Sequence, residues 1–547
     1  MKRLSIFIIL LITSCSIFAQ QKLDETQLRK LVMTQGAILN LYVDTVDQKK
    51  ITEDAIKGML EKLDPHSQYT PAKDVQSVTE SLNGSFEGIG VQYNMNEDTL
   101  VVIQPVTNGP SEKVGIIAGD KIVTVNDTSI AGVKMTREEI MRRLRGKKGT
   151  KVNLGVIRQG VKGVQKFTVT RDKIPVYTLD AYYMIDATTG YIKLSSFGQT
   201  THDEFVTAAT ELIGLGMHDL VLDLQGNGGG YLQAAVAMAE EFLNAGEMIV
   251  YTDGRSVGRH DYRATGHKKV EIGKVVVLVD GYTASAAEIL SGAIQDNDRG
   301  TIVGRRTFAK GLVQRPIDLP DGSMIRLTVA HFYSPVGRCF QKPYTKGDKK
   351  KYDNDMLDRL NSGELMSADS IHFPDSLKYT TKGGRIVYGG GGIMPDVYVP
   401  LDTMQYTRLH RELSAKSCII QTTLKYLDKH RKALVKEYNV GEYRKQLSLK
   451  QENKKYDANV LIHNEGFQRF YDEYTVPQEM IDILIDRAKE AKVQYTDSML
   501  QASLPMLKIQ LKALLARDLW DMSEYYRIFN PLNEIYVKGV AAIKEEK

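Results

Sequence analysis

Cysteine is almost missing from this chain. Of 547 residues only Cys15, Cys339 and Cys418 carry a thiol, so at most one disulfide can form after loss of the N-terminal segment, and a disulfide-framework fold is excluded. Two solitary buried thiols are the expected state. Long apolar runs are missing too: nothing after the first twenty residues could span a bilayer, so the mature chain is expected to be soluble. Charge is nearly balanced, with 72 Lys and Arg against 67 Asp and Glu. A net +5 supplies no long-range field suited to nucleic acid, and no nucleic-acid signature is found. No His/Cys/Asp cluster stands at metal-ligand spacing, and no metal or organic cofactor is expected. Repeats and low-complexity tracts are absent.

What is present begins with an export signal. Lys2 and Arg3 precede an apolar run from Leu4 to Ile12 and then small residues. Cleavage after Ala19 is the expected processing; Ile12-Thr13-Ser14-Cys15 resembles a lipoprotein box and offers lipidation of Cys15 as the competing route. The remaining length suits two to four domains. Residues 20–83 read as a helical leader, with Ile51, Ile56, Met59, Leu60 and Leu63 near helical spacing. Residues 84–172 change to short β-type runs broken by glycines, with one helical insert at 137–146. Residues 173–402 alternate strand-like and helical patterns, which implies βα units around a covered sheet. Within them, 342–381 is polar and lysine-rich and is expected to be an exposed insertion. Residues 403–547 are mostly amphipathic helix and contain the only tryptophan, Trp520; no chemistry can be assigned to them.

Three segments carry chemistry. KVVVLVDGYTASAAEILSGAIQ runs a buried-type strand into a short turn and then a helix beginning near Ser285. A serine there can serve as nucleophile, with an oxyanion met by the helix start and its neighbour's amide; it can equally be an N-cap. A nucleophilic hydroxyl needs a base. His202, His218, His260, His267 and His331 stand in no triad pattern, whereas Lys310 lies in GRRTFAKGLVQR, flanked by Phe308, Ala309 and Gly311. Burial would lower its pKa toward neutrality and free the amine to take a proton; taken alone, a lysine is usually a solvated surface charge. Gln314, four residues on, could orient that amine. LVLDLQGNGGGYL takes another strand into a glycine loop, whose bare amides form an anion cradle. The Lys-Ser/Thr of a P-loop is missing and GxGxxG spacing fails, so a second oxyanion donor, Gly229, is the reading preferred over a plain tight turn.

Taken together, GYTASAAEIL, TFAKGLVQ and DLQGNGGG resemble the signature of the carboxy-terminal processing peptidases, or tail-specific proteases. The resemblance extends through LDPHSQYTP, SFEGIGVQ, GPSEKVGIIAGDKIVTVND, LRGKKGTKVNLGVIR and LPDGSMIRLTVAHFYSPVGR, covering roughly residues 35–400. It implies a multidomain α/β fold: a ClpP/crotonase-like βα peptidase core with an inserted α+β PDZ domain at 84–172, an N-terminal helical segment and a C-terminal helical domain. It implies Ser285 as nucleophile, Lys310 as general base, Gln314 as its orienter, and the amides of Gly229 and Ala286 as oxyanion hole. Gln225 and Gly228 depart from the family, which often has arginine and proline there.

For the PDZ module, Gly88, Ile89 and Gly90 would offer amides to a terminal carboxylate, and the strand from Val91 would take the tail as an added strand. The resemblance also implies a gating role for an arginine of the LRG segment, here Arg145. The resulting expectation is an exported serine endopeptidase of the bacterial periplasm or cell envelope. It would act on proteins with accessible C-terminal tails, with an adaptor or activator as a further partner, and would meet a membrane only if Cys15 is lipidated. The rival is a catalytically silent PDZ scaffold or chaperone. A Ser/His/Asp hydrolase would require G-x-S-x-G, and Ser285 stands in T-A-S-A-A.

Overall fold

A computed structural model of the chain describes residues 24–545 apart from 81, 97, 107–108, 159, 403–405 and 453. The export signal, its cleavage site and Cys15 lie outside the described residues. No described helix is long and apolar enough to cross a membrane.

The chain opens with two helices, Glu25–Leu41 and Gln48–Glu61. Asp47 caps the second by accepting the N–H groups of Lys49 at 2.8 Å and Lys50 at 3.2 Å. The first buries none of its residues. The leader then joins the body: strand Gln68–Thr70 pairs antiparallel with Met324–Tyr333.

A two-stranded ribbon, Ser85–Gly88 against Asp172–Pro175, carries the chain into and out of a separate sheet. Its strands are ordered Val91–Asn96, Thr99–Pro105, Lys121–Val125, Lys151–Ile157 and Gln165–Thr170, with Thr128–Ser129 beside the third. Alternating apolar residues put Leu100, Val102, Ile122, Leu154 and Val156 on one buried face, closed by Ile140 and Leu144 of helix Arg137–Leu144. Thr136 caps that helix through its Oγ1.

The second body is built on a six-stranded sheet in the order Leu179–Met184, Thr189–Leu194, Asp219–Asp223, Val275–Val279, Thr301–Gly304, Val397–Tyr398. The first pair is antiparallel and the rest are parallel. Val275–Val279 is apolar at every position because both faces are covered. Helices Thr201–Gly214, Leu232–Glu240 and Ala286–Asp296 pack on one face through Phe205, Leu212, Met238, Ile289 and Leu290. The other face is closed by the end of the chain: Ile535, Tyr536 and Ile543 of helix Glu534–Glu545 pack on Val221, Val276, Leu278 and Val303. The C-terminal region also has its own helical core around Trp520, Phe467 and Phe470.

The stretch 342–381 is exposed over most of its length, yet Lys342, Tyr352, Arg359 and Glu364 within it are buried, and it packs on the segment that leads to Lys310. The Lys342 amide donates to the Ala309 carbonyl at 3.1 Å, Arg359 Nη1 donates to the Thr307 carbonyl at 2.8 Å, and Arg306 and Glu364 pair at 2.6 Å.

Candidate active site

Ser285 stands between strand Val275–Val279 and helix Ala286–Asp296 with φ 57° and ψ −115°. A non-glycine residue in this region stores roughly 1–3 kcal/mol and persists only where its surroundings over-determine it. They do so here. Asp280 Oδ1 accepts the N–H groups of Tyr282 and Thr283 at 2.9 and 3.1 Å. Thr283 Oγ1 donates to the Leu224 carbonyl at 2.8 Å. The Ser285 N–H donates to Glu288 Oε2 at 2.8 Å.

Glu288 is fully buried, and it ties the serine turn to the lysine segment. Its Oε2 also accepts the Lys310 N–H at 2.9 Å, while Oε1 accepts the Ala309 N–H at 2.7 Å and the Thr307 hydroxyl at 2.6 Å. Ala309 is a second non-glycine residue at positive φ, 72°. Burial raises the Glu288 carboxyl above its ordinary range, with the four donors pulling against it. Each oxygen already accepts two hydrogen bonds, so the ionised form is the one this geometry accommodates.

Lys310 Nζ donates to Gln314 Oε1 at 3.3 Å, and Gln314 Nε2 donates to the His66 carbonyl at 2.5 Å. The 64–68 loop that supplies this carbonyl is itself pinned: Asp64 accepts the His66 and Ser67 N–H groups and the hydroxyls of Ser67 and Thr328. Burial lowers the Lys310 pKa, the nearby Arg326 guanidinium lowers it further, and Glu288 and Asp64 oppose both. His66 is held neutral, at about 3, by burial and by the Lys310 charge; its Nε2 lies 2.9 Å from the Tyr352 hydroxyl.

The glycine loop packs against the serine turn. The Ala284 N–H donates to the Asn227 carbonyl at 2.9 Å. Gly229 has φ 91°, and a Cβ there would lie 2.6 Å from the Ala284 oxygen and 2.8 Å from both the Ala286 nitrogen and Ser285 Cβ; only glycine fits. The Gly229 N–H itself donates to Asn227 Oδ1 at 2.9 Å, so this expected oxyanion donor is engaged within its own loop. Among the described residues no group accepts the Ala286 N–H.

Beside the sheet that opens with Val91–Asn96, Gly90 has φ 69° and a Cβ there would meet Ile174 Cδ1 at 2.8 Å. Ser111 fixes the turn by donating its N–H and hydroxyl to the Ile89 carbonyl at 3.1 and 2.6 Å. Val91–Asn96 is an edge strand, bonded within its sheet to Thr99–Pro105 alone. Gly88 lies at the end of the entry ribbon, paired with Asp172. Arg145 is set against Glu80 at 2.5 Å and over the Phe86 ring, on the connection between the leader and this sheet rather than beside Lys310.

The histidines have other duties: His202 bonds Glu241 at 2.7 Å and His218 bonds Asp219 at 2.6 Å. Among the described residues no group of three or more His, Cys, Asp or Glu could hold a metal ion. Sequence reasoning assigned Glu288 no role, and the 64–68 loop entered only as part of the resemblance, in LDPHSQYTP. The spacing of Ser285 and Glu288, that of a capping box, was the available signal for the first.

Family models match this architecture. Peptidase family S41 matches residues 188–350, a PDZ domain 88–170, the activating protease CtpB N-terminal domain 14–74, and a family of unknown function, DUF8443, 453–521. The chain is 34% identical over 365 residues to the carboxy-terminal processing protease CtpA of Bacillus subtilis, covering 64% of this chain and 77% of that protein. To the carboxy-terminal-processing protease of Bartonella bacilliformis it is 36% identical over 310 residues, 55% of this chain and 69% of the other. To the carboxyl-terminal-processing protease of Picosynechococcus it is 38% identical over 296 residues, 53% and 70%. A helix-covered, mostly parallel sheet that matches the S41 model, together with a PDZ domain, thus marks the chain as a serine-type peptidase of family S41. Within that class, the chain belongs to the carboxy-terminal processing proteases.

Proposed function

We propose that the protein is an exported endopeptidase that captures the C-terminal tails of protein substrates on its PDZ domain and cleaves them with a Ser285/Lys310 dyad. The observation that carries this reading is that one buried carboxylate, Glu288, accepts the backbone N–H groups of both Ser285 and Lys310 at 2.8 and 2.9 Å. The depressed pKa of Lys310 supports it further, since a neutral amine can act as a base near neutral pH.

In the proposed reaction the Lys310 amine takes the Ser285 hydroxyl proton as the oxygen attacks the substrate carbonyl. The oxyanion is met by the Ala286 N–H and by the Gly229 N–H, which exchanges Asn227 Oδ1 for it. The Lys310 ammonium then gives its proton to the departing amine, leaving an acyl-enzyme. Water, deprotonated by the same amine, hydrolyses the ester and restores Ser285. Gln314 keeps the amine aimed. The tail would add to the free edge at Val91–Asn96, its carboxylate near Gly88, Ile89 and Gly90. Arg145, through Glu80, would transmit the state of the PDZ domain to the leader. The N-terminal Lys2-Arg3 and the apolar run to Ile12 support export to the periplasm or cell envelope.

The test is labelling by a fluorophosphonate probe, read by mass spectrometry. The expected adduct sits on Ser285, is absent from Ser285→Ala, and forms far more slowly in Lys310→Ala. An adduct elsewhere, or an unchanged rate in Lys310→Ala, rejects the dyad. A chain that binds tails but takes no label is a PDZ scaffold instead.

A further inference from the structure

The C-terminal tail reaches the roots of both loops that carry the proposed chemistry. The glycine loop leaves strand Asp219–Asp223 through Gln225, and the lysine segment leaves strand Thr301–Gly304 through Arg305. The two strands are parallel and flank Val275–Val279, so both roots lie at the same edge of the sheet. Helix Glu534–Glu545 runs across the face beneath them and is seated closely: a Cβ on Gly539 would stand 2.3 Å from Leu278 Cδ2. Its position relative to the strands is therefore fixed by packing.

The two residues at the start of this helix each hold one root. Asn533 Oδ1 accepts the Ile535 and Tyr536 N–H groups at 3.0 and 3.3 Å, which sets the orientation of its amide, and Nδ2 donates to Gln225 Oε1 at 3.2 Å. Gln225 is tied at its backbone as well. Its N–H donates to Asp223 Oδ1 at 2.8 Å and its carbonyl accepts Lys193 Nζ at 3.0 Å. The buried Lys193 ammonium lies 3.3 Å from Asp223 and faces the Tyr526 ring, a second contribution of the tail. Glu534 Oε1 accepts from Arg305 Nη2 at 2.6 Å and from the Asp402 N–H at 3.2 Å.

From these contacts we infer that Asn533 and Glu534 are positioning residues: the terminal helix braces Gln225 and Arg305, and through them holds the glycine loop against the Ser285 turn and the Lys310 segment in register. This rests on the reading of Ser285 and Lys310 as the dyad. The tail is then part of the peptidase site rather than an appended domain, and its contribution is made to turnover rather than to substrate affinity.

The test uses the full chain and a quenched-fluorescent reporter with an apolar C-terminal tail. Asn533→Ser keeps an N-cap hydroxyl but cannot reach Gln225; it is compared with Gln225→Ala, the double variant and Glu534→Gln. The expected result for Asn533→Ser is a kcat lower by about three- to tenfold, the worth of one hydrogen bond, with KM and unfolding midpoint little changed. In the Gln225→Ala background the same substitution should cost nothing more, because the two residues act through one contact. Glu534→Gln should likewise lower kcat and spare KM. Wild-type kcat in Asn533→Ser and Glu534→Gln, or full additivity of Asn533→Ser with Gln225→Ala, overturns the inference. Ser285→Ala and Lys310→Ala are assayed alongside. If either still cleaves, the dyad reading has failed, which is distinct from failure of the brace.

Discussion

Replacing Glu288 by glutamine keeps its size and removes its charge. The carboxylate accepts four hydrogen bonds of 2.6 to 2.9 Å, two on each oxygen. A glutamine amide supplies one oxygen and one NH2: in the place of Oε2 the NH2 faces the Ser285 and Lys310 N–H groups, and in the place of Oε1 it faces the Ala309 N–H, the Thr307 hydroxyl being able to turn and accept from it. An unsatisfied buried donor costs about 1–3 kcal/mol, which gives a loss of about 1–6 kcal/mol against a typical stability of about 5–15 kcal/mol. The variant should fold and be clearly weaker to denaturant. The effect on Lys310 has a definite sign. Glu288 raises the proton affinity of the amine against the opposite pull of burial and Arg326. Without that charge the pKa of Lys310 falls further, and the acid limb of kcat/KM moves to lower pH. The assay is a pH profile of reporter cleavage beside guanidinium unfolding, run on wild type and Glu288→Gln. A folded variant whose acid limb stays in place or moves to higher pH refutes the electrostatic coupling. Undiminished stability refutes the hydrogen-bond account.

Three further outcomes are expected. Gly229→Ala places a methyl against the Ala284 oxygen and Ser285 Cβ at positive φ, so cleavage should fall about a hundredfold or more, with a lower Tm; a fully active variant would contradict the described approach. Ile535→Ala empties a buried seat on the sheet and should cost about 2–5 kcal/mol in guanidinium unfolding, whereas a change below half a kcal/mol, roughly the noise of a surface site, would mean the helix does not cover that face. Lys310 has a lower pKa folded than unfolded, so between its folded value and about 10.4 the unfolded chain binds the extra proton and stability rises with pH. Lys310→Met should remove that rise, and an unchanged slope would show that the amine is not buried.

The strand, turn and helix around Ser285 were legible because each step leaves a local mark: an all-apolar strand, a Gly-Tyr-Thr-Ala turn, a one-sided helix. The same holds for the glycine loop, whereas Lys310, which taken alone reads as a surface charge, stood out only in the company of the other two segments. What the sequence hid depends on contacts between distant segments. The Gln314 amide ends on a carbonyl of residue 66, some 250 positions away, and no spacing rule reaches that far. Asn227, two residues from Gly229, occupies the amide assigned to the oxyanion, a choice that turns on loop geometry rather than composition. The lysine-rich stretch 342–381 reads as solvated because charge usually is, yet Lys342 is buried on the rings of Phe308 and Tyr352 with Asp355 beside it. The tail gave amphipathic helices and no hint that its last helix completes the peptidase sheet, since a periodicity names an apolar face but not what covers it.

The most direct test of the account is cleavage of an unfolded reporter ending in an apolar tail by wild type, Ser285→Ala and Lys310→Ala, each shown to be folded by circular dichroism. The account predicts that wild type cuts and that neither folded variant does. Cutting by Lys310→Ala at the wild-type rate, or tail binding by wild type without cleavage, would contradict it.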